Sequence, residues 1–202
     1  MKYINNLPDH KYGWLPFMYS IVYNLKPKKI IEYGTEYGRT AIVMALALKD
    51  LYETFGHVGH VYTYDTFEMQ SKGEIGSCPN FNIAVDTIKN SGLSDFITVD
   101  RGDFFNFCES ETKDFDLLYF DIDNDGDKLL EMYEGCKHYI NNGSVVLFEG
   151  GSTVRDNVQW MANLNKRKME SVKGTINYKL LTDNTKYSLS IIYNTDIYNL
   201  DI

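Results

Sequence analysis

The chain has 202 residues, of which 44% are hydrophobic and 24% charged, and these proportions exclude a disordered or collagen-like protein. This length suits one domain, so we expect a single domain with a leading helix region over 1–28 and an α/β core over 29–202. The net charge of −8 at pH 7 disfavours a broad electrostatic grip on nucleic acid or on an anionic membrane.

The cysteines and the hydropathy pattern indicate a cytoplasmic protein. Cys78, Cys108 and Cys136 are widely spaced and form no CxxC pair, so neither a zinc site nor a disulfide framework is predicted. The first residues lack the apolar stretch of a signal peptide. The longest apolar run, 41–48, is far shorter than the roughly 20 residues that cross a bilayer, so no membrane partner is expected.

The first half of the chain alternates helical and strand patterns. Apolar residues at helical spacing predict a leading helix that ends before Lys26-Pro27, and a later helix is followed by Gly92. Short β-branched runs between the helices predict strands. The predicted elements are helix 14–25, strand 29–34, helix 38–51, strand 60–65, helix 81–90 and a strand within 96–104.

Two continuous apolar runs in the second half predict strands that are covered on both faces, at 115–121 and 144–149. Apolar residues at helical spacing between them predict a helix that begins near Lys128 and stops at Asn141-Asn142-Gly143. Further along, the spacing of Val154, Val158 and Met161 predicts one more helix.

The last part of the chain reads as a hairpin, because apolar residues alternate over 176–180 and 187–193 around the turn sequence TDNTK. Five β-α units followed by a hairpin predict an α/β fold. We expect a Rossmann-like, mostly parallel seven-stranded sheet with an antiparallel terminal hairpin and helices on both faces.

Polar residues follow the first strand, at the edge where open α/β sheets bind ligands. Gly34 and Gly38 would let the backbone turn tightly and approach a ligand. A dinucleotide fingerprint needs glycines where this chain has Glu36 and Arg39, and the Glu36 anion would repel a pyrophosphate. The loop therefore counts against NAD and FAD and permits a nucleoside cofactor without phosphate.

Three carboxylates at strand ends suit such a nucleoside. Asp65 closes the second strand, where it can accept both hydroxyls of a ribose, and Glu32 can meet the ammonium of an amino-acid tail. Asp103 can meet an adenine edge, with Phe104 or Phe105 stacked on the ring. Together these positions predict a pocket for an adenosine that is joined to an amino acid.

Four motifs carry a family resemblance. KKIIEYGTEYGRTA resembles the first motif of class I S-adenosylmethionine-dependent methyltransferases, usually E-x-G-x-x-x-G. VYTYDTFE is similar to a block of the macrocin-type sugar O-methyltransferases, and FDLLYFDIDND and GSVVLFEGG resemble the strand 4 and strand 5 blocks of that branch. The resemblance runs from about residue 29 to residue 151, and the terminal hairpin agrees with the reversed seventh strand of the family.

The resemblance implies S-adenosylmethionine as cofactor and methyl transfer to a small-molecule acceptor, most naturally at a hydroxyl. It leaves the oligomeric state open, with a homodimer as one option. The alternative is that the glycines only turn the chain and that the strand-end carboxylates are solvated. The implied cofactor contacts are Glu32, Gly34, Thr35, Gly38, Asp65, Thr66, Asp103, Phe104 and, beside the sulfonium, Asp121.

Relatives that depend on a metal hold Mg²⁺ with carboxylates after strands 4 and 5. In this chain the second ligand after strand 5 is replaced by Gly150-Gly151, so one ligand is missing. Asn124 and Asp125 add oxygen donors, and the alternative is that this acidic loop caps the following helix. The implied metal ligands are Asp121, Asp123 and Glu149.

The usual histidine base is absent after strand 4, which leaves Asp121 and Glu149 as the predicted catalytic residues. Arg155 and Asp156 either bind an anionic acceptor or begin a helix, and the irregular segment 69–80 is either a lid or a solvated loop. Two other functions stay open: a non-catalytic binding or assembly protein with this fold, and a nicotinamide-dependent oxidoreductase.

Overall fold

The structure is a computed structural model that describes residues 13–68, 81–104, 114–122, 124–183 and 185–193. The chain divides into two compact units, residues 1–106 and 107–202. The predicted lid segment 69–80 and the predicted stacking residue Phe105 lie outside the described residues. The prediction of a single domain stays a prediction.

Two helices of the first unit pack against each other. Helix α1, Leu15–Leu25, buries Leu15, Met18 and Val22 and ends at Lys26, which adopts the left-handed conformation just before Pro27. Helix α2, Arg39–Phe55, is buried almost all round over 40–48 and ends four residues beyond the predicted end, just before the left-handed Gly56. Helix α3, Phe81–Asn90, has the predicted bounds.

The strands of the first unit are parallel and lie in the order β3-β2-β1. Their register aligns Glu32 of β1 with Thr63 of β2, and Asp65 of β2 with Arg101 of β3. All three strands therefore end at the same edge. The strands are β1 Lys29–Tyr33, β2 His60–Asp65 and β3 Ile97–Arg101.

The strands of the second unit lie in the order β4-β5-β7-β6, in which β4 and β5 are parallel and β7 is reversed. Helix α4, Gly126–Asn141, begins after Asp125, whose carboxylate caps it. A short helix α5, Gln159–Asn163, follows β5. The strands are β4 Leu117–Phe120, β5 Val145–Glu149, β6 Tyr178–Leu180 and β7 Leu189–Ile192.

The predicted fold class is confirmed. The seven strands make a mostly parallel mixed sheet with an antiparallel terminal hairpin, accompanied by helices. Both β4 and β5 are apolar and largely buried, as their continuous apolar runs predicted.

The single helix predicted from Val154, Val158 and Met161 is wrong. Residues Arg155–Asn157 form one 3₁₀ turn, and the backbone is extended at Val158 before α5 begins. The apolar spacing misleads here because Val154 is 44% exposed, whereas the charged side chains of Arg155 and Asp156 are buried. Their polar partners, rather than an apolar stripe, determine the local backbone.

Candidate functional site

The loop between β1 and α2 is built from left-handed residues. Gly34 has φ +102°, Glu36 φ +48° and Gly38 φ +77°. The two glycines adopt this conformation without the steric cost that a Cβ brings, whereas Glu36 does carry that cost. The N–H of Gly38 donates to the carbonyl of Thr35 at 2.6 Å, which closes the loop just before the helix.

Asp65 joins the three loops that follow β1, β2 and β3. Its Oδ2 accepts the N–H of Glu36 at 3.0 Å, and its Oδ1 accepts the N–H of Phe67 at 2.9 Å. Its backbone carbonyl accepts the N–H of Gly102 at 3.1 Å. Because a carboxylate offers about four lone-pair sites, the half-buried Asp65 keeps acceptor capacity for two ligand hydroxyls.

A buried chain of hydroxyls links two predicted cofactor residues. Thr63 donates to the carboxylate of Glu32, and the hydroxyls of Thr63 and Thr35 lie 2.6 Å apart. Glu32 and Thr63 are fully buried. The sequence reasoning missed Thr63, although the parallel pairing of β1 with β2 sets it beside Glu32.

An aromatic cluster lies at the ends of β1, β2 and β3. The Phe104 ring is 2% exposed and meets Tyr33 edge-on with centroids 5.3 Å apart, while Tyr33 stacks on Tyr64 at 5.4 Å. Burial raises the pKa of Tyr64, and the charge of Asp100 adds to that effect.

Arg101 ties the end of β3 to the loop after β2. Its Nη1 donates to the carbonyl of Thr66 at 3.1 Å, and its guanidinium lies over the rings of Phe67 and Phe81. The predicted cofactor contact Asp103 is half-buried and lies two residues after Arg101 in the chain. Arg101 was not singled out from the sequence, and its position at the end of a strand was the available signal.

A second polar cluster lies at the carboxyl ends of β4 and β5. The Tyr119 hydroxyl donates to Asp121 Oδ2 at 3.0 Å. Asn124 is buried, and its Nδ2 donates to the carbonyls of Phe120 at 3.2 Å and Glu149 at 2.6 Å. The Asn124 amide therefore ties the ends of the two strands together.

Glu149 and Arg155 form a buried ion pair. Arg155 Nε lies 3.2 Å from Glu149 Oε2, and both side chains are less than a tenth exposed. The guanidinium also lies over the Trp160 ring, 4.7 Å from its centroid. Arg155 and Asp156 lie in a 3₁₀ turn rather than at the beginning of an α-helix, and the Asp156 carboxylate accepts the N–H groups of Met169 and Glu170.

The described donors do not fit a magnesium ion. Asp125 Oδ1 accepts two N–H groups of α4, and its Oδ2 pairs with Lys166 Nζ at 2.7 Å. Glu149 is paired with Arg155. Asp123 lies outside the described residues, and within the described ranges no three His, Cys, Asp or Glu side chains are grouped to hold a metal.

The fold and its loop geometry define a Rossmann-like α/β protein with a ligand edge at the ends of its parallel strands. A sequence profile described as "Methyltransferase domain" matches residues 31–149. The chain belongs to this methyltransferase family. No curated protein matches the sequence. In the described part of the chain, no helix combines the length and the apolar character that a membrane crossing requires.

Solved structures share the fold at low sequence identity. The O-methyltransferase TomG of Streptomyces achromogenes, involved in tomaymycin synthesis and bound to S-adenosylmethionine, is 18% identical with a TM-score of 0.59, over 94% of this chain and 84% of its own. An O-methyltransferase of Bacillus cereus in complex with S-adenosylhomocysteine is 18% identical with a TM-score of 0.60, over 95% and 86%. A candidate O-methyltransferase of Klebsiella pneumoniae is 18% identical with a TM-score of 0.63, over 93% and 83%.

Proposed function

We propose that this chain transfers a methyl group from S-adenosylmethionine to a hydroxyl oxygen of a small molecule. The junction of three loops at Asp65 carries the proposal, because it sets a carboxylate with spare acceptor capacity at the ligand edge of the sheet. Membership of the methyltransferase family supports it, and so do the fold neighbours that bind S-adenosylmethionine or its product.

The residues of the first unit fit the cofactor. Asp65 would accept the ribose hydroxyls, and the left-handed Gly34 and Gly38 would let the backbone lie against the ligand. The Glu32 side chain is fully buried, so it would not contact the ammonium group of the cofactor directly. The hydroxyls of Thr63 and Thr35 would connect the Glu32 carboxylate to that ammonium group. Asp103, Thr66 and Phe104 remain predicted contacts of the adenosine.

The loop after β1 disfavours a nicotinamide dinucleotide. A pyrophosphate would have to lie against Glu36, whose half-buried side chain is an anion and whose N–H already donates to Asp65. The sulfonium cofactor carries no phosphate, so the same loop suits it. This difference ranks the oxidoreductase alternative below methyl transfer.

When bound, S-adenosylmethionine would supply a methyl group on a positively charged sulfur, and the acceptor hydroxyl would give its proton to one of the carboxylates Asp121 and Glu149. The protein contributes mainly the in-line placement of the acceptor. Asp121 and Glu149 are the proposed groups for the acceptor side. Glu149 is held in place by Arg155, and Asp121 by the Tyr119 hydroxyl.

The acidic charge of −8 supports a small-molecule acceptor rather than a nucleic acid, because phosphate backbones are bound by basic surfaces. A cytoplasmic location is part of the same proposal, and the oligomeric state stays open.

One observation favours the non-catalytic alternative: the predicted catalytic carboxylate Glu149 is already neutralised by Arg155. In that case the chain would bind the cofactor and transfer no methyl group. Methyl transfer from radiolabelled S-adenosylmethionine to any hydroxylated acceptor of a mixed panel would exclude this alternative.

The first test is calorimetric and thermal-shift titration with S-adenosylhomocysteine, with NADH as the matched dinucleotide control. A ligand at a hundredfold excess over its Kd adds about 2.7 kcal/mol to the free energy of unfolding, or roughly 5–10 °C in Tm for a chain of this size. We expect the shift with S-adenosylhomocysteine and none with NADH. No shift with S-adenosylhomocysteine would overturn the proposed function.

A further inference from the structure

Three buried polar atoms of the second unit lack a hydrogen-bond partner among the described residues: Asn124 Oδ1, Arg155 Nη1 and Ser188 Oγ. All three residues are tied to the end of β5. Asn124 donates to the Glu149 carbonyl, Arg155 pairs with the Glu149 carboxylate, and the Ser188 carbonyl accepts the N–H of Gly150 at 2.7 Å. A buried polar group without a partner costs free energy, so these three atoms can form hydrogen bonds with a ligand or an ordered water.

The Arg155 guanidinium is held rigidly within this cluster. Its Nε contacts Glu149 and its plane covers Trp160, while its own backbone N–H donates to Ser152 Oγ at 3.0 Å. Arg155 is 7% exposed, and its contact with Glu149 uses one N–H, so Nη1 remains available inside the protein. A guanidinium stays protonated at every physiological pH and is therefore a permanent buried cation.

Charge explains why a cation is needed at this position. Phe120 of β4 is paired with Phe148 of β5, so Asp121 and Glu149 occupy the next positions of two neighbouring parallel strands. Two carboxylates at adjacent positions repel each other in a low-dielectric environment unless a cation lies beside them. A divalent ion or a guanidinium satisfies that requirement.

The backbone at residue 150, where the missing metal ligand would lie, disfavours a side chain. Gly150 has φ +112°, and a Cβ added there would lie 2.6 Å from Met169 Cε. The left-handed backbone therefore strains any side chain with an oxygen donor at residue 150, and the end of the Met169 side chain would have to move to make room for it. The absence of the second ligand after β5 is built into the fold of this unit.

The geometry points to Arg155 as the resident cation of the acceptor site, paired with Glu149 at the position where a divalent ion would otherwise bind. This inference rests on the proposed function. Methyl transfer by this chain then needs no metal, because the guanidinium supplies the positive charge beside the two carboxylates. Because the guanidinium cannot take up a proton, Arg155 positions the Glu149 carboxylate and does not serve as the base of the acceptor.

The test uses Mn²⁺ as the probe, measured by electron paramagnetic resonance on the full chain saturated with S-adenosylhomocysteine. We expect the wild type to show no saturable Mn²⁺ site below roughly 1 mM. Arg155→Gln removes the guanidinium from the Glu149 carboxylate beside Asp121 and should bind Mn²⁺ at least about tenfold more tightly than the wild type. Arg167→Gln is the matched control, because it removes an exposed guanidinium from Asp127 in the same unit and should gain no site.

Two results would overturn the inference. One is a saturable Mn²⁺ site in the wild type that Glu149→Gln removes. The other is a folded Arg155→Gln variant that gains no Mn²⁺ binding. If Arg155→Gln does not fold, it is refolded with Mn²⁺ present: recovery of the native circular dichroism supports the inference, and no recovery overturns it.

The same samples separate this inference from the proposed function. S-adenosylhomocysteine binding is measured by calorimetry before Mn²⁺ is added. If the wild type does not bind S-adenosylhomocysteine, the proposed function is wrong, whatever the Mn²⁺ result. If the wild type binds S-adenosylhomocysteine and also has a Mn²⁺ site, only the inference about Arg155 is wrong.

Discussion

The Asp65 carboxylate accepts the backbone N–H of Glu36 at 3.0 Å, across 29 residues of sequence. This hydrogen bond fixes the loop after β1 to the end of β2, and the second carboxylate oxygen fixes Phe67 at 2.9 Å. Glu36 and Phe67 both have positive φ, at +48° and +52°. The Asp65 carboxylate therefore stabilises two strained loop residues at the ligand edge, which makes this carboxylate structural as well as available to a ligand.

Asp65→Asn should weaken the binding of S-adenosylhomocysteine by about tenfold to a hundredfold, because a hydrogen bond to a charged group contributes roughly 1.5–3 kcal/mol. The variant keeps one side-chain oxygen for one of the two loop N–H groups and loses the hydrogen bond to the other, so part of the loss in affinity comes from the loop. Isothermal titration calorimetry measures the change. The exposed Asp86→Asn on α3 is the control and should bind like the wild type. Unchanged affinity in Asp65→Asn would remove Asp65 from the cofactor site.

Gly38→Ala should lower the free energy of unfolding by about 2 kcal/mol or more, because the residue has a left-handed backbone and its added Cβ would lie 3.0 Å from Ile88 Cγ1. Urea denaturation measures the loss. Gly92→Ala has a similar φ but open space around it, so it should cost less. Gly174→Ala, with open space and no left-handed φ, should stay within about 0.5 kcal/mol of the wild type. Equal losses at all three positions would contradict the role of the Ile88 contact.

Thr63→Val should destabilise the protein by about 1–3 kcal/mol, since it removes the hydroxyl that donates to the buried Glu32 and contacts Thr35. Thr63→Ser keeps the hydroxyl and should recover most of the loss. Chemical denaturation of both variants at pH 7 provides the comparison. A Val variant as stable as the wild type would show that the hydroxyl chain contributes nothing.

Glu149 and Arg155 should show strong energetic coupling. Arg155→Met alone leaves a buried carboxylate uncompensated and should cost about 3–5 kcal/mol, as should Glu149→Leu for the guanidinium. The double variant should cost clearly less than the sum of the two. A double-mutant cycle from urea denaturation measures the coupling, and the exposed pair Arg167–Asp127 should give less than about 1 kcal/mol in a parallel cycle. Simple additivity at 149 and 155 would contradict the ion pair.

The stability should depend on pH through His60. Burial lowers the pKa of His60 below its ordinary value of 6.5, and its Nε2 lies 2.9 Å from Thr98 Oγ1. The unfolded chain then binds more protons than the folded chain below pH 6.5, so the free energy of unfolding falls as the pH decreases from 6.5 toward the lower folded pKa. His60→Gln should flatten this part of the profile. A wild-type profile that His60→Gln leaves unchanged would refute the assignment.

Much of the fold could be predicted from the sequence because the signals are local. The continuous apolar runs around Leu118 and Leu147 predicted strands that are buried on both faces, and both strands exist. Pro27 and Gly92 marked the ends of helices because neither residue continues a helix well. The helix predicted around Val158 failed, because two buried charges override the apolar spacing in that segment.

Some residues of the candidate site could likewise be predicted from the sequence, and others could not. Gly34, Gly38 and Asp65 could be singled out by position, since a residue that ends a parallel strand lies at the ligand edge. Thr63 was missed because a threonine inside a strand is ordinary until the register sets it beside Glu32. The acidic loop after β4 looked like a set of metal donors, yet Asp125 caps a helix and pairs with Lys166, which is 41 residues away.

The sequence by itself determined the order of the strands and helices, the reversed hairpin and the methyltransferase family, because these depend on patterns within short segments. The tertiary structure alone decided which partner each charge has. Whether Glu149 faces a metal or Arg155 depends on a 3₁₀ turn that directs the guanidinium inward, and local propensity does not specify that direction. A buried charge takes its role from the groups that fold around it, so its chemistry is settled only when the chain is packed.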